Sequence, residues 1–179
     1  MARLRISLAF LLSIIFTNLF AQKGVDESEY LKVIRKNKKG NEFVYDASKG
    51  EIADKTWLRY LGNITTKQGI IYKVVTSIWV WGYSKRGTTR ILLFDSRNRY
   101  VGNFVLGMTY EAPTKVRENK LIFEYPKGES CDYKLKREVS FADGIPKQFF
   151  LVCKDGMGDI YYFDTSKQRM AAANTALLK

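Results

Sequence analysis

Between Ile78 and Arg90 the chain reads IWVWGYSKRGTTR. In an extended strand alternate side chains share a side, so Trp79, Trp81 and Tyr83 present three aromatic rings together. Lys85, Arg86 and Arg90 follow at once. An aromatic surface rimmed by cations suits a sugar ring or a lipid chain that carries a polar or anionic group. These six residues are the candidate ligand site. A second reading of the same stretch stays open. Ile78 and Val80 fall on the opposite side, as do Leu92 and Phe94 relative to Ile91 and Leu93, so the aromatics equally suit the middle of a β-core with the cations in a wet turn.

Carboxylates are the remaining acid/base candidates. Asp95, Glu111, Glu124, Asp132 and Asp159 fall near expected strand ends. A pair of them at a defined separation would hydrolyse a glycoside; singly, each suits a turn. Histidine is absent, which removes the commonest general base and metal ligand and with it the usual Ser-His-Asp and Cys-His nucleophilic sites. No catalytic motif, metal site or cofactor is expected. Cys131 and Cys153 are the only cysteines. In an oxidising compartment such a pair forms a disulfide, contributing about 3 kcal/mol in the chain-entropy model. Their placement is awkward: a tight turn at Asp143-Gly144-Ile145 would set Cys153 opposite Leu135, so a bridge requires a bulge or a wider loop.

The compartment follows from the first residues. Arg3 and Arg5 precede an apolar run from Ile6 to Phe20, and Ala21 precedes a polar stretch, the layout of a secretory signal peptide. The run is shorter than the roughly 20 apolar residues of a membrane-spanning helix. The sequence therefore predicts export to the periplasm or beyond, with no membrane span after residues 1–21 are removed. The formal net charge is +12, and a leader ending at Ala21 would take only Arg3 and Arg5 with it. Such a surface favours solubility and anionic partners: an acidic glycan, a lipid surface or an envelope protein. Export argues against nucleic acid, and no nucleic-acid-binding aromatic signature is present.

The elements that must position these residues are strands. Aromatic and β-branched runs predict strands near 70–82, 88–95, 99–109, 114–117, 121–125, 132–141, 147–154 and 159–164. The links SKRG, DSRN, REN, ADGIP and DGMGD are too short for parallel crossovers, so neighbours are antiparallel. The expected fold is all-β: a meander of about eight strands, closed as a barrel or strongly coiled. From Cys131 to Phe141, Tyr133, Leu135, Val139 and Phe141 alternate with Lys134, Lys136, Glu138 and Ser140. Arg137 interrupts the apolar side and is expected to reach out to water. Before the sheet, DESEYLKVIRKN reads as a helix capped by Asp26 or Ser28, with Tyr30, Val33 and Ile34 on one face; a hairpin turning at Gly40 is the competing reading. EIADKTWLRYLG gives a helical turn or a leading strand. The resulting organisation is a leader (1–21), a segment packed on the sheet (22–62), the β-domain (63–164) and a tail or short helix (165–179). The function expected is a non-catalytic exported β-domain that binds a ligand or envelope partner; a carboxylate-dependent polysaccharide hydrolase and an assembly subunit are the alternatives.

Overall fold

The computed structural model describes residues 25–165. The leader read over residues 1–21 and nearly all of the tail therefore lie outside the described residues. Helix α1 (Glu27–Lys36) starts where Asp26 accepts a hydrogen bond from the Ser28 amide at 2.8 Å, satisfying one of the orphan donors of the first turn. It ends at Asn37, whose left-handed φ of 49° closes the last turn. Tyr30, Val33 and Ile34 form its buried stripe. The helical reading of this segment holds.

Ten strands follow among the described residues: β1 (Glu42–Asp46), β2 (Ala53–Thr65), β3 (Ile71–Gly82), β4 (Arg86–Asp95), β5 (Tyr100–Leu106), β6 (Lys115–Arg117), β7 (Lys120–Phe123), β8 (Arg137–Ser140), β9 (Gln148–Lys154) and β10 (Met157–Asp164). A short 3-10 turn (Thr109–Glu111) lies between β5 and β6. Several links carry the chemistry a hairpin requires. Glu118-Asn119 and Asp155-Gly156 both have positive φ at two successive residues, the backbone that matches strand twist in a two-residue turn.

The strands form two sheets. Seven are ordered β1-β2-β3-β4-β5-β10-β9, and β6-β7-β8 form a small sheet of their own. Every pairing is antiparallel. On the inner face of the large sheet Leu61, Ile64, Val74, Ile91, Leu93 and Phe104 join Leu121, Phe123 and Val139 of the small sheet in one core. The outer face carries α1: the Tyr30 ring lies 6.5 Å from Phe94, and Lys36 Nζ stands 4.5 Å from the Phe43 ring centre. Apolar residues on both sides of β3 and β4 are thus explained by a sheet covered twice. A bulge in β2 falls between Tyr60 and Gly62, and the φ of 118° at Gly62 lets Leu61 and Ile64 both enter the core.

Three expectations need correction. Among the described residues no barrel closes: β1 and β9 are the two ends of the large sheet and do not pair with each other. The eight-strand meander is interrupted, because β6–β8 leave the sheet and β10 returns to pair with β5. The strand expected over 132–141 is reduced to Arg137–Ser140. Residues 42–65, for their part, supply the first two strands of the large sheet.

Cys131 and Cys153 are bonded, with Cα atoms 4.5 Å apart. The antiparallel arithmetic that separated them does not apply, since β8 pairs with β7 and β9 with β10. The bridge fastens the loop before β8 to the edge strand β9, and the Asp132 amide donates to the Cys153 carbonyl at 2.9 Å beside it. Reduction is expected to lower stability by about 3 kcal/mol, measured as the shift in urea unfolding with and without dithiothreitol.

Candidate functional site

The aromatic and cationic stretch from Trp79 to Arg90 is divided between two surfaces. Trp79 is 5% exposed. Its indole N–H donates to Asp54 Oδ1 at 2.9 Å, and its ring stacks on Trp81 with centres 5.6 Å apart. Trp81 is half-buried and lies opposite Arg86 across the β3–β4 ladder. Tyr83 falls beyond the strand and is 71% exposed. Lys85 occupies the tight turn with a positive φ of 48°. Arg90 is buried opposite Ser77, next to the α1-covered part of the sheet rather than at a rim. Trp79, Trp81, Arg86 and Arg90 therefore share the outer face, while Tyr83 and Lys85 extend from the hairpin end.

The concave site lies on the other side of the same strands. A shallow, open cleft of about 350 Å³ is lined by Glu42, Trp57, Ile78, Val80, Thr109 and Tyr110. Cross-strand register explains its floor. Val44 lies opposite Trp57, and Trp57 opposite Ile78, which makes an apolar row across three strands. Ion pairs bound this row on both sides: Arg59 Nη2 lies 2.9 Å from Glu42, and Lys55 Nζ lies 3.2 Å from Asp46. Lys55 Nζ also stands 5.3 Å from the Trp57 ring centre. Farther along, the same face is sealed by the small sheet; here it is open to water, and Val44 is 50% exposed.

The wall of the cleft is held rigidly. The buried Glu111 carboxylate accepts hydrogen bonds from the Gly107 and Met108 amides at 2.8 and 2.7 Å, fixing the turn that presents Thr109 and Tyr110. Tyr110 packs edge-on against Tyr125 with ring centres 5.6 Å apart. Burial pushes the Tyr125 phenol up to about 12, with the Glu111 charge adding to the shift. Burial, with Glu111 as hydrogen-bond partner, raises Tyr161 further still. Both phenols stay protonated at neutral pH, and the Tyr161 hydroxyl donates to the Glu111 carboxylate. At Gly87 an added Cβ would lie 2.6 Å from Thr109 Cγ2, so β4 accepts the turn only without a side chain there. Gly87→Ala is expected to displace Thr109 at a cost of about 1 to 3 kcal/mol. Amide chemical shifts of residues 107–111 would report it, with those of β9 unchanged.

None of the five candidate carboxylates lines the cleft. Asp95 accepts from the Arg97 and Arg99 amides at 2.8 and 2.9 Å, which lowers its pKa. Glu124 is held by Lys115 and Thr114, which lowers its pKa as well. Asp132 accepts from the Lys134 amide at 2.9 Å, Glu111 fixes the wall, and Asp159 is exposed on β10. Among the described residues, no group of three or more potential ligand side chains is placed to hold a metal ion, and no helix is long and apolar enough to cross a membrane.

Sequence reasoning missed Trp57, Val44 and Tyr110. A signal for Trp57 was present in KTWLRYLGNIT, where Thr56, Leu58 and Tyr60 alternate with Trp57 and Arg59. Nothing local marks Tyr110, which reaches the cleft through the fold of the turn.

The fold and site together define an antiparallel β-domain, covered by a helix on one face and a small sheet on the other, with an open aromatic cleft beside its first edge strand. Compared with protein-family models, with curated proteins and with solved structures, the chain matches none.

Proposed function

We propose that the protein is an exported, non-catalytic binding domain whose ligand is a sugar ring seated in the Trp57 cleft. One observation carries this reading: the apolar row Val44–Trp57–Ile78 is left open between two cross-strand ion pairs. A pyranose has the matching form, with an apolar C–H face for the indole and hydroxyl edges for the charged rim. The openness of the cleft favours a ring over a lipid chain, which needs enclosure to leave water. The rim carries both signs of charge, Glu42 and Asp46 beside Arg59 and Lys55, and the overall basic charge steers anionic glycans toward the molecule. Export is supported by the leader layout of residues 1–21 and by the Cys131–Cys153 bridge, which persists in oxidising compartments.

Isothermal titration against a panel of pyranose oligosaccharides, with a medium-chain fatty acid alongside, tests the reading. Saturable binding by a glycan, weakened at least about tenfold in Trp57→Ala but not in Trp81→Ala, is expected. Saturable binding only to the fatty acid, or to no member of the panel, overturns it. Export is tested by mass spectrometry of the protein recovered outside the cytoplasm, where a new N-terminus near Gln22 is expected and an intact Met1 contradicts it.

A further inference from the structure

The two ends of the seven-stranded sheet are treated differently. At β9 the carbonyls at its C-terminal end are occupied: the Arg137 guanidinium donates to Val152 and Cys153, and the disulfide holds the loop across that end of the edge. At β1 no described residue covers the edge. The Ala47 amide donates to the Asp54 carbonyl at 2.8 Å, which makes 47/54 a hydrogen-bonded pair in the register of β1 with β2. Such pairs alternate, so Phe43 and Tyr45 also bond to β2. Glu42, Val44 and Asp46 therefore point their amides and carbonyls away from the sheet.

Exposed edges are usually blunted by lysine, proline or a bulge. β1 has the sequence EFVYD and pairs with β2 without a register shift. Among the described residues its protection is its shortness and the two carboxylates at its ends. The side chains of its outward residues do not obstruct an incoming strand either, because Glu42 and Asp46 are drawn back to Arg59 and Lys55. We infer that β1 is a docking edge for an extended segment of a partner protein, which adds to the sheet as an eighth strand.

Charge decides what sequence that segment carries. A second copy of β1 is the simplest occupant, but the antiparallel register that uses all three outward residues places Val44 opposite Val44 and Glu42 opposite Asp46. Like charges directly opposite destabilise a pair. The edge instead fits a strand with an apolar residue opposite Val44 and lysine or arginine two positions to either side. This inference stands apart from the cleft: a sugar would use the side chains of this face, a strand the backbone.

The probe is the peptide Thr-Lys-Thr-Val-Thr-Lys-Thr, titrated into the purified protein and followed by amide chemical shifts. Shifts centred on residues 42–46 are expected, with at least about tenfold weaker binding when both lysines are replaced by glutamate. Val44→Pro removes the central outward donor where an edge tolerates proline, and should abolish the shifts at residues 42–46 without changing the thermal melt. A peptide N-methylated at alternate residues makes the same test without altering the protein, and should not bind. Undiminished binding of the methylated peptide, shifts elsewhere on the surface, or no shifts at all would overturn the inference. So would a dimer in sedimentation that Val44→Pro dissolves, which assigns the edge to a second copy.

Discussion

Arg137→Ala is expected to destabilise the protein by about 3 kcal/mol or more, among the largest single losses the molecule can suffer outside its aromatic core. Arg137 is 3% exposed. Its guanidinium donates to the carbonyls of Asp132, Leu135, Val152 and Cys153, and its carbon lies 4.1 Å from the Tyr125 ring centre. Hydrogen bonds to charged groups are each worth more than neutral ones, and buried acceptors left unmade cost their full desolvation. Truncation does both at once, and it uncovers the β9 edge. Arg137→Lys should restore only part of the loss, because an ammonium cannot match a planar fork that serves four carbonyls. Arg137→Met, which keeps the apolar stem, should behave like the alanine variant. Urea unfolding of the three variants checks the order. Equal stability of Arg137→Met and wild type would mean that the cation is not what holds the edge.

Trp79→Ala should cost a comparable amount, about 3 to 5 kcal/mol. Its ring is buried, its N–H is bonded to Asp54, and its removal deprives Trp81 of a stacking partner. Trp81→Ala should cost about 1 to 2 kcal/mol. That ring is half-buried, and its indole N–H finds no acceptor among the described residues, so truncation removes an unmet donor along with the contact. Two tryptophans that look equivalent in IWVWGYSKRG are thus expected to separate clearly in the same urea titration. A loss at Trp81 as large as at Trp79 would make both of them core and remove the outer face from consideration as a surface.

Much of the strand content was legible because alternation and turn chemistry are local. All eight strands read after Ile70 have counterparts, and the ends of β3, β4 and β10 fall within two residues of the reading. What failed was long-range. Whether β8 pairs with β9 is decided by the small sheet turning over the core, and nothing between Phe141 and Lys147 encodes that departure. The same departure explains the cysteines, which looked mismatched only on the assumption of a hairpin between two strands that belong to different sheets. Arg137 was legible as an anomaly on an apolar face. Its burial depends on four carbonyls brought to it by the loop before β8 and the edge strand β9, and alternation alone sends an arginine to water. The candidate site was half legible: the aromatic strand was found, but its opposite face forms the cleft, and Trp57 and Tyr110 arrive from β2 and from a turn held by a buried glutamate.

The most direct test of the Trp57 cleft as the binding site is a chemical-shift titration of the purified protein with the glycan that binds most tightly in the titration panel. Shifts at the Trp57 indole N–H and the amides of Ile78, Val80 and Thr109, with those of α1 unmoved, are the expected result. Shifts confined to Trp81, Tyr83 and Arg86, with Trp57 silent, would contradict it and move the site to the outer face of the same hairpin.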